Sequence, residues 1–187
     1  QQFYLLAAAC ELAKERGKCQ HFGQSKYALG LLPLDFYNKN IDAFIKRKPS
    51  QDWEMLREEI AENGLRNCTL SMAMPCESSS IIQGSTNGME PIRSLLTYKT
   101  SKTKPVPILA PSIKKWKNKY SLAFEMDSNE GLIKCVAAVT KWLDMGASGN
   151  LYYGSDRNMT QMVQDILTAT KIGWKTFYYD NTDDGDK

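Results

Sequence analysis

Apolar residues recur at helical spacing in several parts of the chain, and a glycine follows four of these stretches. Trp53, Leu56 and Ile60 share one face of a helix predicted over residues 53–62, which Asp52 can cap and Asn63-Gly64 ends. A first helix is predicted to continue from residues 5–10 to Gly17. A third predicted helix ends at Gly146, and its apolar face consists of Leu132, Ile133, Val136, Val139 and Leu143. A fourth ends at Gly173, and its apolar face consists of Met159, Met162, Val163, Ile166 and Leu167. A further helix carrying Ile113, Trp116 and Tyr120 is predicted after Ser112, which can cap it.

Alternation with a period of two predicts the strands. Residues 67–74 place the larger apolar side chains at even positions, as a strand ended by Pro75 would. Residues 92–100 and 106–109 predict two short strands joined by a polar turn at 101–104, and residues 175–179 predict a last strand. Strands interleaved with helices predict an α/β fold with an inserted hairpin. Residues 180–187 form a polar, acidic tail.

Composition narrows the class of protein. The chain has 187 residues, 42% of them hydrophobic, which fits one domain or a large part of one and excludes disorder as the main state. A formal charge of +3 is too small to indicate a membrane surface or nucleic acid as partner, and no apolar run approaches the ~18 residues of a membrane span. The lysines at 99, 102, 104, 114, 115, 117 and 119 therefore indicate a solvated face rather than a nucleic-acid patch.

Histidine and cysteine exclude several kinds of site. His21 is the single histidine, so sites that need two or three imidazoles are excluded. The five cysteines are Cys10, Cys19, Cys68, Cys76 and Cys135. Their spacing matches neither a zinc motif nor a disulfide framework, so we expect no metal in this chain, and reduced thiols in the cytoplasm.

Three segments could carry chemistry. Residues 74–80 place a proline and then hydroxyl residues directly after the predicted strand; such a strand-to-helix corner gathers backbone N–H donors that suit a phosphate, although an ordinary helix N-cap uses the same residues. Residues 84–91 fit either a tight turn with positive φ or a close approach of backbone to ligand. The adjacent Tyr178 and Tyr179 fit half-buried packing or a relay between two phenols. A regular strand would point these two rings to opposite faces, so stacking them requires a local departure from extended geometry.

Six short segments follow one another along the chain in a characteristic order. They are Leu12-Ala13-Lys14-Glu15-Arg16-Gly17, Asp52-Trp53-Glu54, Gly64-Leu65-Arg66-Asn67, Met74-Pro75-Cys76-Glu77-Ser78-Ser79-Ser80, Thr86-Asn87-Gly88-Met89-Glu90-Pro91 and Gly173-Trp174-Lys175-Thr176-Phe177-Tyr178-Tyr179-Asp180-Asn181-Thr182. Taken together, these segments resemble the C-terminal part of the large, catalytic subunit of aerobic class I ribonucleotide reductases, closest to the bacterial and bacteriophage branch. The resemblance covers nearly the whole chain.

The resemblance implies the C-terminal part of a ten-stranded α/β barrel that reduces ribonucleoside diphosphates by radical chemistry. Matched to the family's motif, Pro75, Cys76, Glu77, Ser78 and Ser79 would hold the substrate diphosphate, mainly through backbone N–H groups. Tyr178 and Tyr179 would be the last two relay residues before the cysteine that becomes a thiyl radical. On this assignment residues 1–179 belong to the barrel domain and residues 180–187 begin the C-terminal tail.

The departures from the family define what this chain lacks. No N-L-C-L-E loop is present, none of the five cysteines matches the family's three active-site cysteines, and Cys76 stands where the family usually has serine. The implied partners are therefore the N-terminal part of the subunit, which holds those cysteines and the nucleotide effector sites, and a small subunit with a dimetal centre and tyrosyl radical. Thioredoxin or glutaredoxin would supply reducing equivalents, and this segment itself would bind no cofactor.

The resemblance implies either a fragment or one product of a subunit encoded in two parts. In both cases the chain is expected to be inactive alone. The alternatives are a non-catalytic interaction module that keeps the fold and a small phosphate-binding domain.

Overall fold

Four α-helices precede the first strand, and helices and strands mix only in the C-terminal half of the chain. The computed structural model describes residues 1–100, 104–156 and 158–183, apart from the side chain of Glu77. The α-helices are α1 (Gln2–Arg16), α2 (Pro33–Phe36), α3 (Trp53–Asn63), α4 (Glu77–Gln83), α5 (Ile113–Trp116), α6 (Glu130–Thr140) and α7 (Met159–Ile172). The strands are β1 (Leu96–Thr100), β2 (Pro105–Leu109), β3 (Ser148–Tyr153) and β4 (Thr176–Thr182). Within these described ranges, no helix is long and apolar enough to cross a membrane.

The strands form two small sheets. β1 and β2 pair as an antiparallel hairpin with Leu96 opposite Leu109. β3 and β4 pair in parallel with Ser148 opposite Thr176, and α7 provides the crossover that a parallel pair requires. A single parallel bridge joins Ala73 to Ala147, the residue that precedes β3. The described residues are therefore a mixed α/β structure with two two-stranded sheets.

The chain divides into two units of tertiary contacts. The first comprises Gln1–Ala73, Ala137–Ala147 and Lys171–Lys175, and the second comprises Met74–Val136, Ser148–Thr170 and the chain from Thr176 onward. In the first unit α1 packs on α3, and their buried faces form one core with the residues that follow each helix. Members of this core are Leu6, Ala9, Cys10, Phe22, Tyr27, Leu32, Trp53, Leu56, Ile60 and Leu65.

The core of the second unit is built around β3. Residues 149–153 of this strand are all buried, whereas most of β4 is exposed. The side chain of the buried Asn129 bonds both backbone groups of Tyr152: Oδ1 accepts from the Tyr152 N–H at 3.2 Å and Nδ2 donates to the Tyr152 carbonyl at 3.0 Å. Asn129 thus holds this strand as the backbone of a neighbouring strand would.

Several predicted elements are confirmed. α1 ends at Gly17 with φ 77°, and α7 ends at Gly173 with φ 103°. α3 begins after Asp52, whose Oδ1 accepts from the Met55 N–H at 3.0 Å. The hairpin is present, with β1 beginning at Leu96, and the last predicted strand is β4, which extends to Thr182. Residues 101–103 of the predicted turn lie outside the described residues.

Other predictions were wrong. The predicted strand over residues 67–74 forms only the bridge at Ala73. The helix predicted after Ser112 is a single turn, and Tyr120 lies beyond it with its hydroxyl donating to the Pro111 carbonyl at 2.7 Å. β3 was not predicted at all, because its buried residues do not alternate with polar ones.

α6 ends at Thr140, six residues before Gly146, and Asp144 lies in the segment between them. The Asp144 carboxylate accepts from the backbone N–H groups of Leu70 and Ser71 at 2.8 and 2.9 Å and from the Tyr27 hydroxyl at 3.2 Å. These bonds use backbone donors of the 67–74 segment that would otherwise bond a neighbouring strand, which explains why the segment forms no more than the bridge at Ala73. Burial, reinforced by the Asp144 carboxylate, raises the pKa of Tyr27.

Replacing Asp144 with asparagine is expected to lower the free energy of unfolding by about 2 kcal/mol, because hydrogen bonds to a charged acceptor contribute more than neutral ones. Urea unfolding measures this change. The control is Glu15→Gln, which removes a carboxylate from an exposed position near the end of α1 and should change stability by less than about 0.5 kcal/mol. Equal stability of the two variants would contradict the role assigned to Asp144.

Candidate functional site

The chain turns from an extended segment into α4 at residues 74–80. Cys76 is the N-cap of α4, and its carbonyl accepts the first helical hydrogen bond from the Ser80 N–H at 2.7 Å. Ser78 and Ser79 are exposed in the first turn. Among the described residues their backbone N–H groups have no acceptor, as is usual at the start of a helix. This corner therefore presents donors with a partial positive charge to solvent.

The loop at residues 86–91 folds back onto this corner. The Cys76 N–H donates to the Asn87 carbonyl at 2.8 Å, so this donor, which was expected to face a ligand, is used within the protein. Gly88 lies against Pro75, with 3.8 Å between the position of a Cβ on Gly88 and the Pro75 Cα. The positive φ needed in this region belongs to Gly84, at 65°, rather than to Gly88. The predicted positive φ is therefore present within residues 84–91, at the glycine that ends α4, and the rest of the loop supports the corner.

The tyrosine pair lies at an irregularity in the β3–β4 ladder. Phe177 pairs with Gly149 and Asp180 with Leu151, so Tyr178 and Tyr179 together face the single residue Asn150. Two residues opposite one is the pattern of a β-bulge, which disrupts the alternation of side chains along a strand. The two rings are in contact, with centroids 4.1 Å apart and planes inclined at 49°. The structure therefore contains the departure from extended geometry that stacking of these rings was predicted to require.

A polar network of the buried Asn150 and Tyr152 with the half-buried Glu90 lies beside the bulge. Glu90, from the loop that supports the corner, accepts from the Asn150 backbone N–H at 2.6 Å and from the Asn150 Nδ2 at 2.9 Å to each carboxylate oxygen. The Tyr152 hydroxyl also donates to Glu90, and burial together with this carboxylate raises the pKa of Tyr152 to about 12. Asn150 was missed by sequence reasoning, although an asparagine is unusual inside a buried strand.

The remaining candidates are the cysteines and the lysines between residues 99 and 119. All five cysteines are free; Cys76 and Cys135 are exposed, and burial raises the pKa of the Cys68 thiol to about 11, which disfavours a thiolate nucleophile. In the part of the chain that the structure describes, no group of three or more His, Cys, Asp or Glu side chains could hold a metal ion. The described lysines between 99 and 119 are exposed, and Lys102 lies outside the described residues.

Comparison with known proteins assigns the chain to a family. The family model described as "Ribonucleotide reductase, barrel domain" matches residues 2–115 and 110–180. Since this match covers most of the chain, the protein belongs to the ribonucleotide reductase family.

Three relatives show which branch it resembles. The chain is 44% identical to ribonucleoside-diphosphate reductase 1 subunit alpha of Salmonella typhimurium, over 98% of this chain and 25% of the relative. It is 43% identical to the corresponding Escherichia coli protein, with the same coverage. The identity to the alpha subunit of Enterobacteria phage T4 is 38%, over 98% of this chain and 26% of the relative. The chain thus spans about a quarter of the length of the relatives it matches.

Proposed function

We propose that this chain is the C-terminal portion of the large subunit of a class I ribonucleotide reductase, which reduces ribonucleoside diphosphates to deoxyribonucleoside diphosphates. Support comes from the family membership and from identities of 38–44% to alpha subunits over 98% of this chain. In this proposal the chain completes a ten-stranded barrel with the N-terminal part of the subunit. The barrel part extends past the predicted boundary at residue 179 to Thr182, because residues 180–182 pair with β3, and the tail begins after it.

The contact between the two tyrosine rings carries the proposal. In a relay, each step moves one electron and one proton from a phenol to the radical on its neighbour, so the only net change is the position of the radical. This exchange requires phenols in close contact, and ring centroids 4.1 Å apart meet that requirement. Tyr178 and Tyr179 are therefore assigned as relay residues between a radical on the small subunit and a cysteine outside this chain.

The corner at residues 75–79 is assigned to the substrate diphosphate. Ser78 and Ser79 offer exposed backbone N–H groups at a helix start, where an anion is stabilised by the helix dipole. Pro75 and Cys76 shape the turn through the 86–91 loop, and Glu77 occupies the first position of α4. Phosphate recognition by backbone groups explains why Cys76 is compatible with a site where the family usually has serine.

The chemistry also needs groups that this chain does not supply. The thiyl cysteine and the reducible cysteine pair are assigned to the N-terminal part of the large subunit, together with the effector sites. The dimetal centre and tyrosyl radical are assigned to the small subunit, and thioredoxin or glutaredoxin to re-reduction of the cysteines. No cofactor is assigned to this segment.

Replacing Ser79 with proline in the assembled reductase is expected to weaken binding of the substrate diphosphate about tenfold or more, because a charge-assisted hydrogen bond is lost. Proline is tolerated in the first turn of a helix, so α4 should persist. Ser79→Ala keeps the N–H group and is the matched control, expected to cost no more than about 1 kcal/mol of binding free energy. Equilibrium binding of a ribonucleoside diphosphate measures both.

Circular dichroism and the melting temperature establish that both variants are folded. Unchanged affinity in a folded Ser79→Pro variant would contradict the assignment of the corner. Absence of any nucleotide binding by the unmodified assembly would instead favour a non-catalytic interaction module.

A further inference from the structure

The contact between Tyr178 and Tyr179 exists because β4 is bulged, and a bulge must be held in place. Two residues of β4 face one residue of β3, which leaves a backbone group without its ladder partner. The Tyr179 N–H is satisfied by a side chain: it donates to Oδ1 of Asn150 at 3.1 Å. Asn150 thus bonds the backbone of one of the two tyrosines directly.

Glu90 fixes the orientation of the Asn150 amide. Both Glu90 carboxylate oxygens accept from the Asn150 Nδ2, each at 2.9 Å, and a carboxylate cannot accept from an amide oxygen. The amide is therefore held with Nδ2 toward Glu90 and Oδ1 toward the Tyr179 N–H. If the amide were flipped, its NH₂ would face another donor, and the carboxylate would face an oxygen.

Burial makes Asn150 dependent on its bonds to Glu90 and Tyr179. Asn150 is only 5% exposed, so its polar groups have little access to water and depend on protein partners. Its own backbone N–H also donates to Glu90, at 2.6 Å, so strand and side chain are both attached to the same carboxylate. Glu90 belongs to the loop that also bonds the Cys76 N–H, which places it on a segment already fixed at the corner.

We propose that Glu90 and Asn150 are a positioning pair that holds the bulge and thereby keeps the rings of Tyr178 and Tyr179 in contact. The inference rests on the proposed relay, because ring contact matters for turnover only if the phenols exchange a radical. Neither residue takes part in the chemistry; both act through the backbone of Tyr179.

The test, made in the assembled reductase, swaps the amide and the carboxylate between positions 150 and 90. Asn150→Asp keeps an acceptor for the Tyr179 N–H but places a carboxylate against Glu90, so we expect kcat to fall about tenfold or more with KM for the nucleotide nearly unchanged. Adding Glu90→Gln restores a donor opposite the new carboxylate. The double variant Glu90→Gln with Asn150→Asp is therefore expected to regain most of the lost turnover.

Asn129→Asp is the matched control. Asn129 is another buried asparagine that bonds β3, and its Nδ2 likewise donates to a carboxylate, that of Asp165, at 3.0 Å. This change places two carboxylates together in the same strand region without touching the bulge. We expect it to lower the melting temperature comparably while kcat falls far less than in Asn150→Asp.

Amide hydrogen exchange of the peptide containing Tyr179 tests the pair without relying on turnover. Asn150→Asp should speed exchange at Tyr179, the double variant should restore protection, and Asn129→Asp should not change it. If Asn150→Asp does not fold, Glu90→Gln alone serves, with faster exchange and a smaller loss of kcat expected.

Unchanged exchange at Tyr179 would overturn the inference, as would full turnover in folded Asn150→Asp. Failure of the relay is a separate result: it would appear as turnover in phenylalanine variants of the tyrosines, while exchange would still decide whether Glu90 and Asn150 hold the bulge.

Discussion

Replacing Tyr178 or Tyr179 with phenylalanine is expected to abolish turnover of the assembled reductase, with nucleotide affinity and melting temperature nearly unchanged. Phenylalanine keeps the ring and removes only the hydroxyl. It has no phenolic proton and is far harder to oxidise, so it cannot carry the radical. Each of the two tyrosine residues is 58% exposed in this structure, so loss of a hydroxyl should cost no more than about 1 kcal/mol of stability.

The measurement is deoxynucleotide formation by the complete large subunit with its radical-bearing small subunit, beside nucleotide binding and docking of the small subunit. Tyr120→Phe is the matched control, because it also removes one phenolic hydroxyl, which donates to the Pro111 carbonyl at 2.7 Å. Tyr120→Phe should lose a little stability and retain turnover. Substantial turnover in either Tyr178→Phe or Tyr179→Phe would refute the relay and favour an interaction module.

The parts of the fold that could be predicted are those determined by local chemistry. α3 is an example, because Asp52 as N-cap, Gly64 as terminator and the apolar face of Trp53, Leu56 and Ile60 act within one short segment. The hairpin was predictable for the same reason, since both strands and their turn are adjacent in sequence. The tyrosine pair and the corner were found from residue types and order, and matching to a family gave them roles.

What could not be predicted depends on contacts between distant residues. The 67–74 segment has the alternation of a strand, yet its donors at Leu70 and Ser71 go to Asp144, more than seventy positions away. β3 is buried along its length, so it lacks the alternation that marks a half-exposed strand. The bulge follows from the register between β3 and β4, and Asn150 has meaning only once that register is known.

The isolated chain is expected to aggregate or unfold without a cooperative transition, and to become stable when produced together with the remaining part of the large subunit. α7 shows why: Met159, Val163 and Leu167 lie four residues apart on one side of the helix and are 72%, 48% and 63% exposed. The opposite side is covered, with Asp165, Ala169 and Ile172 buried. A helix with an uncovered apolar stripe of this kind needs a partner surface.

Other exposed apolar side chains of the second unit also indicate that a partner surface covers it. The hairpin exposes 65% of Tyr98 and 58% of Leu109, and Ile82 on α4 is 89% exposed. Most of β4 is exposed, and such a strand offers a template for another strand. Burial of these surfaces by the N-terminal part of the subunit would join the short sheets into a closed barrel, which removes free edges altogether.

A pair of charge substitutions on α7 tests this assignment. Val163→Lys places an ammonium group on the apolar stripe and is expected to reduce co-purification of the two parts about tenfold or more, because burying an unpaired charge is costly. Gln164→Lys adds the same charge at an exposed neighbour outside the stripe and should leave the complex intact. Equal recovery of both variants in the complex would show that α7 does not contact the missing part. An isolated chain that stays monomeric and melts cooperatively would contradict the need for a partner altogether.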